Sequence, residues 1–194
     1  MKRTWFVLLA VLLLGGVPFK IHNLLDRAVN NEREAAARYE VFAAKAAEEG
    51  YQGVANLFTA AARAESVHAD RFAAALKERG LPVPEAVPYQ PHAGTTAENL
   101  RVATLSETSE RDGFYAEAAV EAHAAGDDAV AKMFDQTRDV EIEHMNLIVD
   151  ATRHLEQMRT AKTFYVCSKC GYTTDVKLGF CALCRDGDHP HPVQ

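Results

Sequence analysis

Four stretches of this chain repeat apolar residues at alternating steps of three and four, and glutamate interrupts every one of them. Such steps mark the face that a helix turns toward a bundle core. The first stretch reads Leu25, Val29, Glu32, Ala36, Tyr39, Ala43, Ala46, and the second Val54, Phe58, Ala61, Glu65, His68, Phe72, Ala75. The third reads Leu100, Ala103, Glu107, Glu110, Phe114; the fourth reads Val130, Phe134, Thr137, Glu141, His144, Ile148, Ala151, Leu155. Carboxylates gathered in one apolar core repel each other and lose their hydration, so the pattern needs concentrated positive charge. Two stretches supply Glu-x-x-His pairs, Glu65 with His68 and Glu141 with His144. Carboxylate oxygen and imidazole nitrogen suit iron or manganese, and a carboxylate can bridge two ions. Taken singly, each glutamate would read as a solvated-face residue; two pairs plus seam glutamates in the other two helices point to metal. His22, His92, His123 and His154 lie off the seams and read as surface or packing histidines. Tyr39, two turns beyond Glu32, and Tyr115, five residues beyond Glu110, are candidates to hydrogen-bond a ligand carboxylate.

The stops between these stretches set the topology. The first helix is predicted from about Asn23 to Glu49, ending at Gly50, and the second from about Gly53 to Arg79. Arg79-Gly80-Leu81-Pro82 gives that second end a basic last turn, a capping glycine and a breaker. A linker from Leu81 to Gly94 then holds four of the seven prolines. Thr95 with Glu98 forms a capping-box signature opening a third helix that ends near Gly126. Asp127 and Asp128 open a fourth, predicted to reach about Arg159. Short, long and short joints describe two antiparallel helix pairs joined by a crossover, the ferritin-like form of a four-helix bundle. Alanine, 33 residues in all with 29 between Ala28 and Ala131, favours helices packed closely.

Beyond Thr160 the composition changes. All four cysteines fall between 167 and 184, as Cys167-x-x-Cys170 and Cys181-x-x-Cys184 separated by ten residues. Two such knuckles supply four thiolates for one tetrahedral ion, which can be zinc or iron. At the other end, Lys2 and Arg3 precede an uncharged run, Trp5 to Val17, broken by Pro18. As a helix that run would reach about 20 Å, short of a roughly 30 Å hydrocarbon core, and it reads as a secretory apolar region. The domain plan is an N-terminal signal or anchor over 1–20, a bundle over 21–160 and a metal-bearing tail over 161–194. A periplasmic or membrane-anchored location follows, with a cytoplasmic one the alternative.

Together these residues resemble a rubrerythrin, over roughly Asn23 to Cys184. The likeness is carried by Asn23-Leu24-Leu25, Glu32, Arg38-Tyr39, Phe42-Ala43, Glu65-x-x-His68, Asn99-Leu100, Glu107-x-x-Glu110, Glu141-x-x-His144 and the cysteine knuckles. It implies a mostly α fold, a di-iron ferritin-like bundle followed by a rubredoxin-like four-cysteine iron site. Glu110 is informative, because bacterioferritin-like sites carry one glutamate in this helix and rubrerythrins two. The resemblance makes Glu65 and Glu141 bridging ligands, gives Glu32 to one iron and Glu107 with His144 to the other. The first iron would exchange Glu110 for His68 as it passes from diferric to diferrous. The implied activity is reduction of hydrogen peroxide to water, with electrons entering one at a time through the four-cysteine iron from a donor protein. A homodimer is implied too, since such tails often serve the neighbouring subunit. The rival expectations are a ferroxidase or oxidase that uses O₂, and a non-enzymatic metal-storage module with zinc in its tail.

The short gap between knuckles and Arg185, where a glycine is usual, depart from the family pattern. Export would also be unusual, and would require a membrane or periplasmic donor in place of soluble NADH. With 21 basic and 27 acidic residues, the net charge of −6 argues against a nucleic-acid binder. Five of those negative charges belong to Glu32, Glu65, Glu107, Glu110 and Glu141, so the acidity mostly measures the proposed metal pair.

Overall fold

In the computed structural model, residues 5–185 and 189–193 are described, with 5–19 represented by their helical backbone alone. Residues 1–4 of the expected export segment, and 186–188 and 194 of the tail, lie outside the described residues. The chain runs α1 (Trp5–Glu48), α2 (Gln52–Glu78), α3 (Thr96–Ser109), a π-helical turn (Glu110–Phe114), α4 (Tyr115–Ala124) and α5 (Asp128–Arg153). A 3₁₀ turn (Leu155–Arg159) leads to three short strands, β1 (Phe164–Val166), β2 (Thr173–Thr174) and β3 (His191–Val193). They form an antiparallel sheet in the order β2-β1-β3. Among the described residues no helix is long and apolar enough to cross a membrane.

The helix ends follow local chemistry. Gly50, in the left-handed region at φ 76°, lets the Tyr51 amide reach back to the Ala46 carbonyl at 2.9 Å and close α1. Thr95 and Glu98 form the expected capping box. Asp127 caps α5 through the Val130 amide and also accepts from Arg79, pinning the end of α2 to the start of α5. Helices α1 and α2 make one antiparallel pair, and α3 and α4 pack on α5 as the other.

Three departures from the sequence reading stand out. The first helix does not begin near Asn23; its backbone is continuous from Trp5, so Pro18 does not break it. The fourth helix gives way to the 3₁₀ turn after Arg153 instead of reaching Arg159 as α-helix. The third is interrupted by the π turn, which inserts one extra residue into the helical period. Stepping a regular helix from Glu107 predicts Phe114 on the core face, whereas the fully buried residue is Tyr115, followed by Ala118, Ala119 and Ala122.

The core is divided into two apolar slabs. One gathers Tyr39, Phe42, Phe58, Leu100 and Ile148; the other gathers Leu25, Val29, Phe72, Tyr115 and Phe134. In all four helical columns the seam glutamates lie, in sequence, between a residue of one slab and a residue of the other. The tail shares the first slab, contributing Met158, Phe164, Val166 and Val193, so its sheet is anchored in the bundle core. Phe58 stacks on Tyr39 at 5.6 Å and meets Phe42 edge-on at 5.4 Å. Replacing Phe58 with alanine is expected to cost about 3–5 kcal/mol in denaturant unfolding, the range for a fully buried phenylalanine; a loss under 1 kcal/mol would mean the slab repacks freely.

Candidate metal centre

Between the slabs, six side chains from four helical columns converge: Glu32 of α1, Glu65 and His68 of α2, Glu107 of α3, and Glu141 and His144 of α5. All six are buried. They form two overlapping sets whose ligand atoms lie within 4.8 Å of one another, Glu32, Glu65, His68, Glu141 and Glu65, Glu107, Glu141, His144. The i, i+3 spacing on α2 and α5 is what stacks glutamate and histidine on one face.

Glu65 and Glu141 belong to both sets, and their two oxygens divide between the histidines. Glu65 presents Oε2 to His68 Nδ1 at 2.9 Å and Oε1 to His144 Nδ1 at 3.2 Å. Glu141 presents Oε1 to His68 at 3.3 Å and Oε2 to His144 at 2.9 Å. Glu32 faces only His68, at 3.6 Å, and Glu107 only His144, at 3.7 Å. This is the geometry of a buried di-metal site with two shared carboxylates and one private carboxylate–histidine pair at each end.

Burial drives Glu32 well above the ordinary carboxylate range and Glu107 up to about 8. Burial would raise Glu65 and Glu141 as well, but the imidazoles they face bring both below that range. Burial would likewise lower both histidines, yet Glu32 and Glu141 hold His68, and Glu65 above all holds His144, well above the usual histidine range. Even so, Glu32 Oε2, Glu65 Oε1, Glu107 Oε2 and Glu141 Oε1 are buried with no aligned hydrogen bond, the imidazole contacts of these Glu65 and Glu141 oxygens being ion pairs alone. Orphaned carboxylate oxygens directed into one space fit a pair of cations.

The tyrosine hydroxyls act on the outer ligands. Tyr39 donates to Glu107 Oε1 and Tyr115 to Glu32 Oε1, so each private carboxylate has one oxygen fixed and the other free. Tyr115 reaches Glu32 because the π turn rotates α4 relative to α3. Glu110 opens that turn and stands apart from both ligand sets. It accepts from Ser106 Oγ at 3.3 Å and lies 3.8 Å from Arg38 Nη2, which itself donates to Ser106 at 2.7 Å. Burial, then Glu107, pushes the Glu110 carboxyl well above its usual range. With Arg27, Asn31 and Arg38 it lines an open cleft of about 420 Å³. Sequence reading missed Arg38 and Ser106 as partners of Glu110; the i+4 spacing of Ser106 and Glu110 was the available signal.

The four cysteines, none of them in a disulfide, are brought together in the tail. Cys167 and Cys184 sulfurs lie 3.7 Å apart, and Cys170 and Cys181 3.6 Å. A tetrahedral ion with metal–sulfur bonds of about 2.3 Å has edges of about 3.8 Å, so the spacing suits one ion and excludes disulfides. Donation from Cys170 holds Cys167 down at about 5, a thiolate at neutral pH, and pushes Cys170 itself up. Arg185 takes the left-handed conformation, φ 53°, at the second knuckle and donates to the Cys181 carbonyl at 3.3 Å, a turn that glycine would adopt without strain.

The comparisons with known proteins bear on the same residues. A family model described as Rubrerythrin matches residues 23–152. The chain belongs to the rubrerythrin family. It is 33% identical over 177 residues to the rubrerythrin of Porphyromonas gingivalis, covering 88% of this chain and 86% of that protein. Rubrerythrin-1 of Clostridium acetobutylicum is 32% identical over 171 residues, 82% of this chain and 87% of its own length. The fully reduced, all-ferrous state of nigerythrin superposes with a TM-score of 0.79 at 25% identity, covering 88% of this chain and 86% of that one. A Desulfovibrio desulfuricans bacterioferritin, TM-score 0.68 at 19% identity over 73% and 83% of the two chains, shares the bundle fold. Within the rubrerythrin family, then, this chain pairs a buried glutamate–histidine di-metal site with a four-cysteine cluster.

Proposed function

We propose that this rubrerythrin is a non-haem di-iron peroxidase that reduces hydrogen peroxide to water, with electrons relayed through a four-cysteine iron. The observation that carries the reading is the pair of shared carboxylates, Glu65 and Glu141, each split between two histidines that the four-cysteine unit also touches. Glu32 and His68 would hold one iron, Glu107 and His144 the other, and Glu65 and Glu141 would span both. When bound, a ferrous pair supplies the two electrons that breaking one O–O bond consumes.

The chain supplies position and protons. Tyr39 and Tyr115 fix the outer carboxylates by donating to them. Glu110, raised toward its neutral form and facing the polar cleft, is placed to give a proton to the departing oxygen. Held by Ser106 and Arg38, it would also be available as a carboxylate ligand in place of His68. The Cys170 carbonyl on His68 joins the four-cysteine site to the bundle site within one chain, which supports the relay. The homodimer is a separate proposal, tested by mass in solution. The apolar run ahead of the bundle supports export or membrane attachment, in which case the reductant is a membrane or periplasmic protein.

The test is anaerobic single turnover of the diferrous protein mixed with peroxide or with O₂. Faster oxidation by peroxide is expected; faster oxidation by O₂ would make the chain an oxidase or ferroxidase. Glu110→Ala is expected to slow peroxide turnover by about 10²-fold, and an unchanged rate would remove Glu110 from the reaction. Metal analysis with visible spectra distinguishes the storage reading, because a ferric four-thiolate site absorbs strongly and zinc does not.

A further inference from the structure

The outward nitrogens of both site histidines end on the tail. His68 Nε2 lies 3.1 Å from the Cys170 carbonyl oxygen, and His144 Nε2 lies 3.1 Å from Thr173 Oγ1. A carbonyl oxygen can only accept, so His68 must carry a hydrogen on Nε2. Thr173 spends its own hydroxyl hydrogen on the Gly171 carbonyl at 2.9 Å, so it too must accept, and His144 also carries its hydrogen on Nε2. Each imidazole is thereby left with Nδ1 for the carboxylate space. The contact is tight as well as polar. Gly171 has φ 79°, and a Cβ there would sit 2.4 Å from His68 Nε2. Both histidines and Thr173 are buried, so with the tail docked no water reaches these two contacts.

We propose that the first cysteine knuckle is a working part of the bundle's metal centre, with Thr173 and Gly171 as positioning residues for His144 and His68. Cys170 O and Thr173 Oγ1 fix the ring orientation and direct each Nδ1 at its ion, so folding of the tail around its own ion raises the affinity of the bundle for two more. By linkage, ions in the bundle stabilise the tail equally. The inference rests on the bundle holding metal, and it assigns residues that the carboxylate–histidine pattern does not include.

The experiment uses the full chain with zinc in the four-cysteine site, titrated with Mn²⁺ and followed by equilibrium dialysis. Thr173→Val removes the acceptor at nearly constant shape and leaves the His144 N–H buried and unpaired. It is expected to weaken one of the two Mn²⁺ sites by about 10–100-fold, the usual effect of losing such a partner, while Thr173→Ser restores it. Gly171→Ala is expected to weaken the other site, through His68. Cobalt substituted at the cysteines, with its thiolate charge-transfer bands, verifies in each variant that the knuckle still forms. Two Mn²⁺ sites of wild-type affinity in Thr173→Val, with the cobalt bands intact, would overturn the inference. Absence of Mn²⁺ binding by the unmodified bundle would instead overturn the di-metal reading on which it rests.

Discussion

Glu65→Ala is expected to empty both halves of the bundle's metal centre, whereas Glu32→Ala or Glu107→Ala empties one. The asymmetry follows from the division of oxygens: Glu65 serves His68 with Oε2 and His144 with Oε1, while Glu32 and Glu107 each face a single histidine. Loss of a ligand should exceed the roughly 10–100-fold penalty known for outer partners of a ligand, so neither ion should bind at micromolar concentration. Manganese bound per chain, measured with the tail held in zinc, should fall from two to none in Glu65→Ala and from two to one in Glu32→Ala. Retention of one tight ion by Glu65→Ala would show that Glu141 alone bridges. The same change should destabilise the metal-free protein by about 3–5 kcal/mol, because it strips a buried counter-charge from two imidazoles. Loss of metal together with loss of apo-stability separates a shared counter-ion from a simple ligand.

Metal removal should convert a protein almost indifferent to mildly alkaline pH into one that loses stability there. The sign follows from the protons each state holds. Glu107 moves from the ordinary 4.5 to about 8 in the folded chain, and Glu32 and Glu110 also move up. Between those values the folded state holds protons that the unfolded state releases, so stability falls as pH rises. His68 and His144 are raised as well; their contribution is complete below the unfolded histidine value and is lost as pH climbs through the folded one. Glu65 and Glu141, both lowered, act oppositely, and only in acid. Metal-free protein should therefore lose roughly 10 °C of Tm between about pH 5.5 and about pH 8.5, at about 2–4 °C per kcal/mol for a chain of this length. With two ions in place the carboxyls and imidazoles are held deprotonated, and Tm should stay nearly level. The gap between loaded and metal-free melting curves thus widens with pH; a gap that narrows would show that the burial-raised carboxyls are already ionised without metal.

Much of this site was legible because its ligands lie on regular helices. The alternating steps of α1, α2 and α5 placed Glu32, Glu65, His68, Glu141 and His144 on one face, and every one is buried. The same stepping failed on the third column. Nothing in Ser106 to Tyr115 announces a π turn, since its cost is met by tertiary contacts of Glu110 with Arg38 and of Tyr115 with Glu32. The tail shows the same division. Two Cys-x-x-Cys knuckles state their chemistry locally, but where they dock depends on a glycine whose missing Cβ makes room for His68.

The sequence by itself determined the bundle, the six side chains that converge and the four clustered cysteines, because helical periodicity and residue spacing are local properties that survive translation into structure unchanged. Only the tertiary structure decided that Glu110 stands outside the ligand sets, that Tyr115 replaces Phe114 in the core, and that the tail closes over its own bundle's histidines. Those outcomes turn on one inserted residue and on hydrogen bonds between groups 29 and 102 positions apart, where the energy lies in contacts that no local pattern encodes.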